Sequence, residues 1–195
     1  MAMTLDELKK LFDAEGIKYF VDPDRPALLA TFRGVGDPHR VVAKLEVGGK
    51  FLQLRTIGWL SCPDDHSSVS AVLKAIGAEN YLRRLVKLGW DPSDGEIVAY
   101  ADVWLMDGKL TQQQFSRILH NYLPVIDMAY RRLEKAIETA HDPGDMGLED
   151  LVDAMGEAAG TRLPEPVRRL LEKLRGKGDA ETDADDDDDD DDMYV

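Results

Sequence analysis

A chain of 195 residues with 44% hydrophobic content can bury one substantial core, so one folded domain with appendages is expected. The formal net charge of −14 is gathered at the C-terminal end, where Asp179, Glu181, Asp183 and the eight aspartates at 185–192 carry 11 charges; the rest holds 27 acidic against 24 basic residues. Neither part supplies the basic stripe that direct phosphate binding needs, no apolar run reaches the roughly 18 residues of a membrane-spanning helix, and the single cysteine, Cys62, excludes an internal disulfide. The first residues lack the basic and apolar regions of a secretory signal. A cytoplasmic protein without direct nucleic-acid or membrane binding is therefore expected.

Taken in order, Thr4 and Glu7 form a capping box for a first helix with Leu5, Leu8, Leu11 and Phe12 on one face and Gly16 at its stop. Residues 17–21 and 28–33 read as strands, separated by a turn that contains Pro23 and Pro26. At 40–47 the alternation of Val41, Ala43, Leu45 and Val47 with Val42, Lys44 and Glu46 predicts a strand with one wet face. Gly48 and Gly49 suit a two-residue hairpin turn, returning 51–60 as the antiparallel partner. From Ser67 the period becomes helical through Val69, Val72, Ile76, Leu82, Leu85 and Leu88, with Ser67 or Ser68 as N-cap, Gly77 as a point of division and Gly89 as the stop.

Turn chemistry, period and capping agree best over 81–137. Asp94 and Gly95 mark a turn into a strand or strand pair at 96–106, whose Ile97, Ala99, Ala101 and Val103 alternate with Val98, Tyr100, Asp102 and Trp104. After a second turn at Asp107, Gly108 and Lys109, Thr111 and Gln114 cap a long helix; Phe115, Leu119, Tyr122, Ile126, Ala129 and Leu133 follow its period. Pro124 predicts a kink near His120 or Asn121. The fold class that results is α+β, an antiparallel sheet with helices on one face in the order α-β-β-β(-β)-α-β-β-α over residues 1–140. A helical extension at 141–177 and a disordered acidic tail at 178–195 complete the chain.

No group of residues carries catalysis or metal binding. His39, His66, His120 and His141 are scattered, Cys62 has no nearby cation to activate it, and the glycine of 91–102 falls at the wrong place for a calcium loop. Gly108 and Lys109 are followed by Leu110, where a phosphate-binding loop needs Ser or Thr. No cofactor and no enzymatic activity are expected. Trp59, Trp90 and Trp104 suit core or interface packing better than a shared ligand pocket.

One stretch resembles the bacterial YbjN family, whose fold is similar to that of type III secretion chaperones. The residues that carry the resemblance are Glu79, Asn80, Tyr81, Leu82, Arg83 and Arg84, then Trp90, Asp91, Gly95, Glu96, Ile97, Val98, Ala101, Asp102, Leu110, Thr111 and Asp127. It covers roughly 4–140. The resemblance implies a non-enzymatic homodimer, a sensory regulator or chaperone-like binder of an unidentified protein client. On that reading Tyr100, Trp104, Phe115 and Tyr122 are the candidates for exposed apolar contact. Met193, Tyr194 and Val195, at the tip of the aspartate run, are candidates for a tail-mediated contact. The alternative is an accessory regulator of nucleic-acid transactions that acts through this tail on basic proteins; a small-molecule sensor built on the tryptophans is a third.

Overall fold

Two capping boxes fix the helices that cover the sheet. In the computed structural model, which describes residues 2–34 and 37–144, the Thr4 hydroxyl accepts from the Glu7 N–H while Glu7 accepts from the Thr4 N–H, opening α1, Leu5–Ala14. Lys109 also meets the Glu7 carboxylate and, with the Thr4 contacts, holds its pKa down at about 2. Thr111 and Gln114 repeat the box at α3, Gln112–Thr139, whose 28 residues span about 42 Å and run through Pro124 as one element. All described residues fall in the first of two units, Met1–Gly147. Residues 145–195, and with them most of the expected extension, the tail and its tip at Met193, Tyr194 and Val195, lie outside the described residues.

Seven strands form one antiparallel sheet among the described residues: β1 Tyr19–Val21, β2 Ala27–Phe32, β3 His39–Glu46, β4 Phe51–Thr56, β5 Leu60–Ser61, β6 Lys87–Trp90 and β7 Glu96–Trp104. They lie in the order β1-β2-β3-β4-β7. Ile97 pairs with both Leu60 and Trp90, and Tyr100 with both Arg55 and Lys87, so β4 and β5 share one margin of β7 while β6 takes the other. The period-2 pattern sends Leu28, Ala30, Val41, Ala43, Leu45, Leu52, Leu54, Ile97, Ala99 and Ala101 into one buried layer. The α3 stripe covers them, and α1 and α2, Val69–Leu82, pack beside it. Each fully buried large aliphatic side chain in that layer contributes about 1.5–3 kcal/mol.

Three expectations change. The predicted 51–60 strand is split, because the chain turns away at Gly58 and sends the Trp59 indole inward; β4 ends at Thr56 and β5 begins at Leu60. The gap would orphan the Ala99 peptide groups, but the Thr56 hydroxyl accepts from Ala99 N–H at 2.9 Å and the Tyr122 hydroxyl donates to Ala99 C=O at 2.8 Å. The hairpin between β3 and β4 is a four-residue loop built on a 3-10 turn, Val47–Gly49, since Glu46 pairs with Phe51; the Gly49 carbonyl accepts from the Met3 N–H as the N-terminal segment crosses it.

The third change is at the end of α2. The predicted helix to Gly89 stops at Leu82 and runs undivided past Gly77, and Lys87–Trp90 is a strand. Val86 and Leu88 are buried while Lys87 and Gly89, each following one of them, are half-buried, so four residues that fit a helical period also fit a period of two. Side-chain chemistry decides between them. The Asn80 amide accepts from Leu88 N–H and donates to Leu88 C=O at 2.7 and 3.0 Å, and the Lys87 ammonium caps the Asn80 and Arg83 carbonyls. Of the two serines expected as N-cap, Ser68 takes that place without a side-chain cap bond: its hydroxyl donates to Ile137 C=O of α3 at 2.6 Å, and His66 Nδ1 accepts from the Ser68 N–H.

A buried ion network ties α2 to α3. Arg132, 4% exposed, donates to Glu79 at 3.0 Å and, through Nε and Nη2, to both Asp142 oxygens at 2.8 Å. Arg83 donates to the other Glu79 oxygen at 3.1 Å. The β6–β7 turn is pinned as closely. Gly95 sits at φ +75 with its carbonyl accepting from the Cys62 N–H, and a Cβ there would lie 2.7 Å from Pro63 N and 2.8 Å from the Cys62 carbonyl. Gly95→Ala is expected to destabilise the domain by about 1–3 kcal/mol in urea unfolding with an unchanged slope; a midpoint like wild type would mean the turn shifts freely.

Candidate protein-binding surface

The sheet face turned away from the helices is built by the outward residues of β4 and β7. Register places Phe51 opposite Trp104, Gln53 opposite Asp102 and Arg55 opposite Tyr100. The Phe51 and Trp104 rings pack at a tilt of 59° with centroids 4.9 Å apart, Gln53 donates to Asp102 at 2.9 Å, and Arg55 reaches along the face to Glu96 at 2.9 Å. One end is therefore aromatic and the other ionic. Beside the ionic end is a hollow of about 440 Å³ lined by Arg55, Trp90, Asp91, Glu96, Val98 and Tyr100. The Trp90 indole is fixed there by donating to Cys62 C=O at 2.8 Å. Ser93 donates its hydroxyl and N–H to Asp91, which holds the Asp91 carboxyl below the usual range.

The aromatic end is the more exposed. Trp104 is 64% accessible, and Met106 and Val47 in the flanking turns are 63% and 60% accessible. The N–H groups of Leu105 and Met106 both bond to Lys50 C=O, which holds the two turns at the same end of the sheet. Val47 and Met106 also have positive φ, 50 and 53, a conformation that costs a residue with a Cβ about 1–3 kcal/mol.

Of the four residues expected at an apolar contact surface, the structure brings Tyr100 and Trp104 to this face; Tyr100 is half-buried. Phe115 and Tyr122 are corrected, because both are fully buried. Phe115 lies 5.1 Å from the Phe12 ring, and Tyr122 is sealed under β7, where burial pushes its phenol well above the usual range. They belong to the same helical stripe as Leu119, Ile126 and Leu133, and a stripe that faces the core takes all its members inward. The sequence period placed Val47 with Val41, Ala43 and Leu45 in a 40–47 strand and Met106 at the end of a 96–106 strand; β3 stops at Glu46 and β7 at Trp104, so both residues lie in exposed turns instead.

The three tryptophans do not converge. Trp59 is buried and donates to His39 Nδ1 at 3.1 Å, while His39 Nε2 meets Asp127 at 3.0 Å and Tyr130 packs against both rings. Because Nδ1 accepts from the indole, Nε2 carries the ring proton and donates to Asp127. Both ring nitrogens are thus engaged, and the group acts as a clamp between β3 and α3, with Gly34 passing so close that a Cβ would lie 2.7 Å from His39 Nε2 and Asp127 Oδ1. Burial raises the Cys62 thiol pKa. No group of three or more metal-ligating side chains gathers among the described residues, and no described helix is long and apolar enough to cross a membrane.

A family model described as "Putative bacterial sensory transduction regulator" matches residues 4–135. The chain belongs to the YbjN family. Among solved structures, the crystal structure of "YbjN, a putative transcription regulator from E. coli" aligns with TM-score 0.53 and 20% identity over 69% of this chain and 92% of that one, which shows a shared fold. The HopA1-SchA chaperone-effector complex aligns with TM-score 0.45 and 15% identity over 64% of this chain and 90% of that one, a likeness too distant to carry weight. No curated protein matches the chain significantly. The YbjN residues Glu79, Asn80, Gly95 and Asp127 fall in the ion network, the β6 bracket, the turn lock and the histidine clamp. These four hold the fold together, whereas Glu96, Val98 and Asp102 of the same set lie on the outward sheet face.

Proposed function

We propose that this protein is a non-enzymatic, chaperone-like binding module or regulator, homodimeric and cytoplasmic, that holds a protein partner on the open face of its sheet. The observation that carries this reading is Trp104, exposed and packed against Phe51 between two strained turns that present Val47 and Met106 to solvent. Indole rings supply large contact area at small conformational cost, and strain retained at exposed apolar residues marks a place kept for contact. The Arg55–Glu96 ion pair and the Gln53–Asp102 hydrogen bond on the rest of the face supply register. Membership of a family described as regulatory supports the same reading.

Trp104→Ser is expected to change folding stability by no more than about 0.5 kcal/mol, since the ring is mostly exposed, while removing the partner recovered by wild-type protein in an affinity pull-down. Static light scattering at micromolar concentration should return the dimer mass. A monomer, together with a variant that retains every partner, would overturn the proposal.

A further inference from the structure

A second recess lies between the end of α2 and the first half of α3. Its floor is Leu82, Leu85, Ile118 and Val125, its rim carries Arg83, Arg84 and Arg117, and its volume is about 470 Å³. Arg117, Asn121 and Val125 are spaced four apart on α3, on a face distinct from the Phe115, Leu119, Tyr122 and Ile126 stripe that enters the core. Arg83 is engaged by Glu79, whereas Arg84 and Arg117 are exposed. Leu82 is 51% accessible and the adjoining Tyr81 is 89% accessible, so the trough and its approach present apolar surface to solvent. Outside the tail the chain is nearly charge-balanced, with 27 acidic and 24 basic residues, which makes three guanidiniums around one aliphatic floor a local concentration of charge.

We propose that this groove docks an acidic amphipathic helix of a protein partner. An apolar face at i, i+3, i+4 and i+7 would lie on Leu82, Leu85, Ile118 and Val125, with carboxylates beside it meeting Arg84 and Arg117. A phosphate or a nucleic-acid backbone would engage the guanidiniums but leave the aliphatic floor wet, and a flat anionic lipid surface would not reach into a recess. The groove is separate from the Trp104 face and does not rest on the reading given for it.

The test uses the full chain and a labelled synthetic peptide of roughly 18 residues, with leucine on one helical face and glutamate on the other, followed by fluorescence anisotropy. Matched peptides carry lysine for glutamate or serine for leucine. The acidic amphipathic peptide should bind tightest, and Arg84→Glu combined with Arg117→Glu should weaken it at least about tenfold with unchanged thermal unfolding. Arg84→Ser with Arg117→Ser should weaken it less, and Trp104→Ser not at all. The proposal fails if the lysine peptide binds as well, if the serine peptide binds as well, if inorganic phosphate at matched ionic strength displaces the acidic peptide, or if the arginine variants bind like wild type. Loss through Trp104→Ser alone would move the site to the sheet face and also overturn it.

Discussion

Arg132→Met should cost about 3–5 kcal/mol of folding stability, because it leaves the buried carboxylates of Glu79 and Asp142 without the guanidinium that bridges them. Methionine nearly fills the volume, so the loss reports charge and hydrogen bonding more than a cavity. Urea unfolding should show a lower midpoint at similar slope. Acid titration adds a second readout. Arg132 holds the Asp142 carboxyl below its ordinary range, mainly by hydrogen bonding, so the folded form binds that proton less readily than the unfolded chain. The stabilisation is therefore present above an unfolded-state pKa of about 3.9 and disappears as pH falls through the lower folded value. Wild type should lose stability on that acid limb more steeply than Arg132→Met; equal midpoints and equal acid limbs would show that the network contributes nothing.

Phe115→Ala should cost about 3–5 kcal/mol, with the loss appearing in unfolding experiments and not in partner affinity per folded molecule. The ring is fully buried against Phe12 at the junction of α1 and α3, so truncation leaves a cavity between two helices. The result separates this residue from Trp104, where removal of the ring should spare stability. A Phe115→Ala protein as stable as wild type but unable to bind would return Phe115 to the contact surface.

Strong local chemistry made much of this fold legible in advance. Thr4 with Glu7 and Thr111 with Gln114 announced both helix starts, and the alternation through Val41, Ala43 and Leu45 fixed which face of β3 is dry. Where a segment was too short for its period to discriminate, the reading failed. Lys87–Trp90 becomes a strand because the Asn80 amide and the Lys87 ammonium find partners eight and seven or four residues away, information that no hydrophobic pattern carries. The split between β4 and β5 depends on Tyr122, 66 positions beyond Thr56 in sequence, to satisfy the peptide group left open. The contact surface was half legible: Tyr100 and Trp104 sit on the outward parity of β7, but Phe115 and Tyr122 were large apolar residues on a stripe whose side only the docked helix reveals.

The Asn80 bracket on Leu88 limits how copies of this chain can add to one another. With the outward peptide groups of Leu88 already matched by a side-chain amide, that border cannot accept a further ladder there, and polymer growth by end-on accretion of sheets is blocked at β6. Replacing the amide would free the Leu88 N–H and C=O to pair with another strand, so a single uncharged side chain closes this border of the sheet at that point.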